Sequence, residues 1–389
     1  MKRLLIVQFA GDFRESDRLR RLTGEETYYG HTYILDQLER FRDQADAVGF
    51  LCGLAPPYHE VLPSGVTVIG AGADFYRDPG PVLRAVEAFD PTHLIVCGPM
   101  MALIRWGLAR RIHLGVLLAD SFAGLYDRWW RFRRLPALLN DPGVTLVANH
   151  GRNAARALVD FGVHPAKVLA WDFPHHRTPA DQPPKQRQAG GIFRLLYVGG
   201  LSGKKGVGDL IRAVAALRDR ADVRLDLVGA GARPRFEALA RRLGVADRVH
   251  FVGLVPNHQV PAMMHAADAV VVPSRHSFPE GLPLTLFEGL ASRTPVIASD
   301  HPMFAGHLVD GESALIFRAG KVGALADAVL RLAGDPDLYA RLSLGSAAAW
   351  ARMQNPVKWG DMLDHWLRDT AEDRAWLVGH GLAPPTAVL

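Results

Sequence analysis

Short apolar runs alternate with longer amphipathic ones along nearly the whole chain. In the first half RLLIVQF, ADAVGFLC, VTVIG, THLIVC, LGVLLA, VTLVA and KVLAW have the length and apolar character of strands. Between several of them lie HTYILDQLERF, PGPVLRAVEAF and RNAARALVDFG, whose apolar positions recur at helical spacing. Strand and helix in alternation predict βαβ units and a mostly parallel sheet covered on both faces. The pattern breaks at residues 175–191, where HHRTPADQPPKQRQAGG is rich in Pro, Gln and charge and carries no apolar period, as in a linker. It then restarts with IFRLLYVGG, a helix through GVGDLIRAVAALRD, VRLDLVGAG, a helix through RFEALARRLG, RVHFVGLV, ADAVVVPS and TPVIAS.

The predicted fold is therefore α/β, with two doubly wound Rossmann-like lobes facing a central cleft. The N-terminal lobe covers 1–174, the linker 175–191 and the C-terminal lobe 192–355. A C-terminal helix over 356–380, in a tail that bears Trp350, Trp359, Trp366 and Trp376, is expected to pack back on the first lobe. Open α/β sheets bind ligands outside the carboxyl ends of their strands. A chain of 389 residues agrees with two domains, since single cores rarely grow past about 300 residues.

Composition narrows the classes further. With 49% hydrophobic and 22% charged residues the chain has the make-up of a soluble globular protein, and no segment approaches the roughly 20 apolar residues of a membrane span. The run Leu4 to Phe9 is too short for the core of a signal peptide. Cys52 and Cys97, the only cysteines, each lie in an apolar run and read as buried thiols of a reducing cytosol. The net charge of +5 comes almost wholly from arginine, which suits anionic partners and equally reflects a general preference for arginine over lysine.

Three glycine-rich or acidic stretches carry candidate chemistry. GAGARP after RLDLV has Gly229 and Gly231 where a pyrophosphate would approach, but Pro234 holds the third glycine position, and a tight strand-to-helix turn accounts for both glycines. YVGGLSGKKGVGDL follows a strand and opens a helix, with Gly199, Gly200, Gly203, Gly206 and Gly208 around Lys204 and Lys205. It reads either as a flexible turn or as an anion site, its N–H groups lying at the positive end of a helix dipole. In PSRHSFPEGLPLTLFEGLASRTPVIAS, Glu280 and Glu288 bracket seven mostly apolar residues, and a helix is predicted from about Pro283. Glu280 suits a cap and Glu288 a solvated position, but Glu288 lies among apolar neighbours, where a buried carboxylate needs donors such as paired sugar hydroxyls.

PEGLPLTLFEG followed by TPVIASD resembles the E-x7-E signature of retaining GT-B glycosyltransferases of family 4, which use nucleotide sugars. YVGGLSGKKG, LVGAGARPRFEALARRLG, RVHFVGLVP, ADAVVVPS and VDGESALIF fall in that family's order; TYYGHTYILDQL, LLADSF and VANHGRNAARALVDFGVHPAKV carry a looser likeness in the first lobe. The resemblance implies that Glu288 binds the ribose hydroxyls of the donor nucleotide and Glu280 the hydroxyls of the transferred sugar. It implies that backbone amides of Gly281, Leu282, Pro283, Leu284 and Thr285 line the sugar and distal phosphate, the proline through its chain path, since it has no N–H. Lys205 matches the diphosphate lysine, Gly30 a glycine that approaches the phosphates, and Val255 lies where main-chain groups read the base. Three departures stand out: Gly200 replaces an arginine, with Lys204 its candidate substitute; Ala119-Asp120 replaces His-Asp, leaving Asp120 as the candidate sugar contact; Gly306 replaces a glutamate.

What the resemblance implies is a retaining, metal-independent hexosyltransferase with Lys205, Glu280 and Asp120 as catalytic candidates and no cofactor beyond the donor, a UDP or GDP sugar. The acceptor would be a sugar or lipid-linked sugar in polysaccharide, glycolipid or glycoconjugate biosynthesis. The alternatives are a sugar-nucleotide epimerase or hydrolase of the same fold, or a non-catalytic nucleotide-sugar-binding subunit. The only Asp-x-Asp, Asp335-Pro336-Asp337, reads as a helix boundary, and no metal site or nucleic-acid partner is expected. LYDRWWRFRRLPALLN, residues 125–140, read as a helix, mixes aromatic and arginine residues, as a packed amphipathic helix does and as peripheral contact with an anionic membrane requires. The expected location is the cytoplasm, including the inner face of the cytoplasmic membrane.

Overall fold

Each of the seven runs in the first half forms a strand of one sheet. The computed structural model describes residues 1–26, 29–122 and 130–382. The strands are β1 (Arg3–Gln8), β2 (Ala47–Cys52), β3 (Tyr58–Val61), β4 (Thr67–Gly70), β5 (His93–Cys97), β6 (His113–Leu118), β7 (Val144–His150) and β8 (Val168–Trp171). Their order is β3-β4-β2-β1-β5-β6-β7-β8, parallel throughout except for the antiparallel pair β3/β4. Strands such as β2 are apolar almost end to end because helices cover both faces of the sheet.

β3 was not foreseen: YHEV is a mostly exposed edge strand just after Pro56-Pro57, with neither alternation nor an apolar run to reveal it. The helix Phe13–Thr23 was likewise unmarked. Its sequence FRESDRLRRLT is mostly charged, and it is held by its ends: Asp12 accepts from Glu15 N at 3.1 Å and Gly24 closes it in a left-handed conformation.

The second sheet contains β9 (Phe193–Val198), β10 (Val223–Val228), β11 (Val249–Gly253), β12 (Ala269–Val272), β13 (Val296–Ser299) and β14 (Ala314–Phe317). All six are parallel in the order β11-β10-β9-β12-β13-β14. Counted from β9, this is the 3-2-1-4-5-6 order of an open, doubly wound dinucleotide-binding sheet, and the order reverses between β9 and β12. A crevice at the carboxyl ends of those two strands is the site such a topology provides.

The chain divides into two compact units, Met1–Pro174 with Pro279–Gly281 and Asn355–Leu389, and His175–Phe278 with Leu282–Gln354. The C-terminal helices Trp359–Arg368 and Ala371–Gly379 thus belong to the first unit. Trp359 and Trp366 are buried there, and the Trp366 indole donates to Thr145 Oγ1 at 2.9 Å. Residues 175–191 belong to the second unit and are bonded to it. Lys185 Nζ donates to the carbonyls of His265 (2.7 Å) and Ala267 (2.5 Å), and Arg187 pairs with Asp268 at 3.1 Å. Burial without a carboxylate in direct contact lowers the Lys185 ammonium to about 8.

Candidate active site

The loop after β9 and the loop after β12 flank the crevice, and they are joined to each other. Arg275 N donates to Lys204 O at 2.9 Å. The Arg275 guanidinium grips Asp209, in the first turn of the helix Val207–Ala216, with two bonds of 2.6 and 2.7 Å. This two-pronged pair raises the Arg275 guanidinium above its ordinary range, through the hydrogen bonds it donates to Asp209. Lys205 N donates to Ser202 Oγ at 3.2 Å, and Lys205 Nζ lies 4.3 Å from the centre of the Phe278 ring.

Two helices start at this crevice with no side-chain cap. Val207–Ala216 begins after Gly206 and the eight-residue helix Leu284–Ala291 after Pro283. Thr285 Oγ1 donates to Val198 O at 3.3 Å, tying the second helix to the end of β9. Uncapped first turns offer N–H donors and the positive ends of two dipoles. Arg275 is already paired with Asp209, so Lys204, exposed, and Lys205, half-buried, are the cations the loop itself presents. The arrangement suits a ligand with adjacent negative charges.

Gly200, Lys204, Lys205, Leu282, Pro283, Leu284, Thr285 and Glu288 therefore lie on the two joined loops and the helix that follows them. Glu288 is half-buried one turn into its helix, beside the buried Phe287 and Leu286. A Cβ at Gly200 would meet nothing within 4 Å, so the position where the resemblance implies an arginine is open space. Val255 is half-buried in the loop after β11, two strands from β9. The GAGARP glycines serve a contact of chain with chain. Gly229 and Gly231 take left-handed φ of 133° and 139°, and Cβ atoms there would stand 2.1 and 2.5 Å from the carbonyl oxygens of Gly199 and Leu201. The two glycines let one loop lie flat against the other.

Glu280 and Gly281 belong to the first unit, with Glu280 buried. Gly30, also there, precedes the helix His31–Phe41 at φ 93°. Asp120 follows β6, where its Oδ1 accepts from Phe122 N at 2.7 Å and its backbone exchanges bonds with the Asn149 amide at 3.2 and 2.9 Å. Its carboxylate thus shapes its own turn. Asp335 caps the helix Pro336–Met353, as the boundary reading expects. Burial raises the Cys52 and Cys97 thiols to about 12, and both pair in register with Gln8 from opposite sides of β1.

Several residues escaped the sequence reading: Asp209, Ser202, Arg275 and Phe278, which shape the lysine loop, and the pair His276–Asp300. Burial would raise the Asp300 carboxyl, but bonds from Ala319 N (2.8 Å) and His276 Nε2 (2.9 Å) outweigh it and hold the group below its ordinary range. Of the segment 125–140, residues 125–129 lie outside those described. The helix described here is Leu135–Leu139, with Pro136 in its first turn rather than at its end. Trp130 is 73% exposed, and Arg131 lies 4.8 Å from the Tyr76 ring centre.

Residues 180–347 match the family described as glycosyl transferases group 1. The chain has the GT-B fold, and this segment of it is similar to group 1 glycosyltransferases. This GT-B chain is 33% identical over 171 residues to the alpha-D-kanosaminyltransferase of Streptomyces kanamyceticus, covering 43% of itself and 44% of that protein. It is 33% identical over 225 residues to a D-inositol 3-phosphate glycosyltransferase of Actinosynnema mirum, covering 53% of each. It thus spans about half or less of the curated relatives it matches. Among solved structures, the sucrose-phosphate synthase of Thermosynechococcus elongatus superposes with a TM-score of 0.67 at 18% identity, over 91% of this chain and 95% of that one. Anabaena HepE in complex with UDP-glucose superposes with the same TM-score of 0.67 at 16% identity, over 96% and 100%. Likeness at that identity establishes the fold.

Proposed function

We propose that the chain is a retaining, metal-independent glycosyltransferase that moves a sugar from a nucleoside diphosphate donor to a hydroxyl acceptor. The observation that carries this reading is the convergence of two uncapped helix N-termini and Lys205 where the strand order reverses, inside the segment that matches the group 1 family. HepE, a protein of the same fold, has been solved with UDP-glucose, which supports a UDP sugar as the first donor to test.

In this mechanism the bond from the anomeric carbon to the diphosphate oxygen breaks as the bond to the acceptor oxygen forms on the same face. The acceptor's proton passes to the departing diphosphate. Charge grows on that diphosphate toward the transition state, so groups already in place there accelerate the reaction more than they tighten binding. Lys205 and the first turns of the helices Val207–Ala216 and Leu284–Ala291 fill this role. Glu288 holds the ribose and Val255 lies by the base, while Gly30 is the proposed phosphate contact and Asp120 and Glu280 the proposed sugar contacts. The acceptor belongs to cell-surface polysaccharide or glycolipid assembly, on the cytoplasmic side of the membrane.

Incubation with UDP- and GDP-sugars, scored for transfer, free sugar and epimer with and without EDTA, tests the reading. Transfer that survives the chelator and keeps the donor's anomeric configuration supports it. Epimer or free sugar alone, or binding without turnover, would replace it with an epimerase, a hydrolase or a binding subunit. Glu288→Ala should weaken nucleotide binding by about 1.5–3 kcal/mol, the worth of a hydrogen bond to a charged group.

A further inference from the structure

The last residue of β7 and the first residue beyond β8 form a buried pair in the first unit that the chemistry above does not use. His150 Nε2 lies 3.1 Å from Asp172 Oδ1, with side chains 9% and 0% exposed. The same carboxylate oxygen accepts from Phe173 N at 2.8 Å. Lys358 Nζ stands 3.9 Å from Asp172 Oδ2 and donates to Phe173 O at 3.2 Å, burial lowering the ammonium from its ordinary range. The imidazole stacks on Trp171 at 4.7 Å and 29°, and the Trp171 indole is itself anchored to Leu118 O at 3.2 Å. Asp172 is held through its backbone as well, by Val357 O at 3.1 Å and Trp359 N at 2.9 Å. The ring has little freedom to turn.

A carboxylate only accepts, so Nε2 carries the proton and Nδ1 presents a lone pair. Gly281 lies beside that edge of the ring. A Cβ on Gly281 would stand 3.3 Å from His150 Nδ1 and 3.3 Å from its Cβ, so the missing side chain is what leaves the edge uncrowded. The residue before it is Glu280, buried in the same unit. An oriented acceptor nitrogen next to the backbone of a buried carboxylate has the chemistry to read a sugar hydroxyl.

We propose that His150 Nδ1 accepts a hydrogen bond from a hydroxyl of the transferred sugar, with Asp172 and Lys358 as the positioning residues that fix its tautomer and orientation. The inference rests on the glycosyltransferase reading and adds a substrate-contact residue to it. Its test uses the full chain and four probes, UDP, UDP-glucose, GDP and GDP-mannose, with binding measured by calorimetry and turnover followed on the donor that the wild type prefers. His150→Gln removes the imidazole, and Gly281→Ala keeps the His150–Asp172 pair intact while crowding Nδ1. Both should leave the affinity for the free nucleotide within twofold and weaken the matching sugar nucleotide, with kcat/KM, tenfold to a hundredfold.

Sugar-nucleotide affinity unchanged in both variants, or equal losses for nucleotide and sugar nucleotide, would overturn this inference alone. A wild type that binds none of the four probes would overturn the glycosyltransferase reading with it.

Discussion

Gly206→Ala is the sharpest test of how the lysine loop is built. Gly206 has φ 78°, and an added Cβ would stand 2.1 Å from the carbonyl oxygen of Pro273 and 2.9 Å from its Cβ. Relaxed carbon–oxygen contacts are about 3.3 Å or longer, so the two loops would have to part by roughly 1 Å. Alanine in the left-handed region costs about 1–2 kcal/mol, and overpacking a tight contact about 1–3 kcal/mol more. The expected destabilisation is about 2–5 kcal/mol, which at about 2–4 °C per kcal/mol for a domain of this size lowers Tm by about 4–20 °C. Parting the loops also strains the bond from Arg275 N to Lys204 O and displaces Lys205, so UDP affinity should fall at least about tenfold, or 1.4 kcal/mol. Thermal unfolding and calorimetric titration with UDP measure both effects. Gly203→Ala, at a position with no atom within 4 Å of the new Cβ, is the control and should melt like the wild type. A Gly206→Ala protein that melts within a degree of wild type, or a Gly203→Ala protein destabilised as much, would refute the claim that close approach holds the loop.

Other perturbations probe separate parts of the molecule. Gly200→Arg enters open space and should tighten UDP roughly fivefold, a charged hydrogen bond of about 1.5–3 kcal/mol less about 1–2 kcal/mol of side-chain ordering; unchanged affinity in calorimetry would mean that the arginine finds no phosphate. Lys205→Ala should lower kcat more than it raises the nucleotide Kd, and Lys204→Ala, if Lys204 stands in for the absent arginine, should lower kcat and raise Kd, whereas wild-type kinetics would deny it that part. Burial lowers His31 to about 4, so the fold disfavours its charging. The stability of the neutral form is whole above about pH 6.5 and is lost as pH falls toward 4, by about 2 kcal/mol at pH 5; His31→Asn should flatten the fall in Tm between pH 7 and 5, and an unchanged slope would contradict this. If exposed Trp130, Arg133 and Arg134 meet an anionic bilayer at about 1 kcal/mol per arginine, their joint replacement by alanine should leave the protein in the supernatant when vesicles are sedimented at low salt.

Most of both sheets was legible because a strand buried on two faces has to be apolar almost throughout, and such runs announce themselves in the chain. The exceptions obey other physics. β3 is an exposed edge with no such requirement, β14 was quoted only within a motif, and the helix Phe13–Thr23 depends on Asp12 and Gly24 at its ends more than on an apolar face. The segment 175–191 looked like a linker because it lacks periodicity, yet Lys185 and Arg187 fasten it to the second unit with side-chain bonds that no local pattern reveals. Pro136, which a helix over 125–140 would carry in its interior, stands in the first turn of a shorter one, where its missing N–H costs nothing.

The candidate site divides along the same line. Glycines, lysines and glutamates on two short stretches were legible because the ligand contacts they imply are local: a loop, an opening helix, a carboxylate one turn in. What holds those stretches is not local. Asp209 and Arg275 are 66 residues apart, His150 and Asp172 are 22 apart, and each pair meets because parallel strands bring their carboxyl ends to one edge of a sheet. In isolation Asp209 is a first-turn helix residue and Arg275 a loop cation, and neither points to a site. Only the strand order, with β9 beside β12 and β7 beside β8, turns them into partners. The order of strands is therefore part of the chemistry: it sets Lys205 beside Phe278 and joins the carboxylate of Asp209 to Arg275.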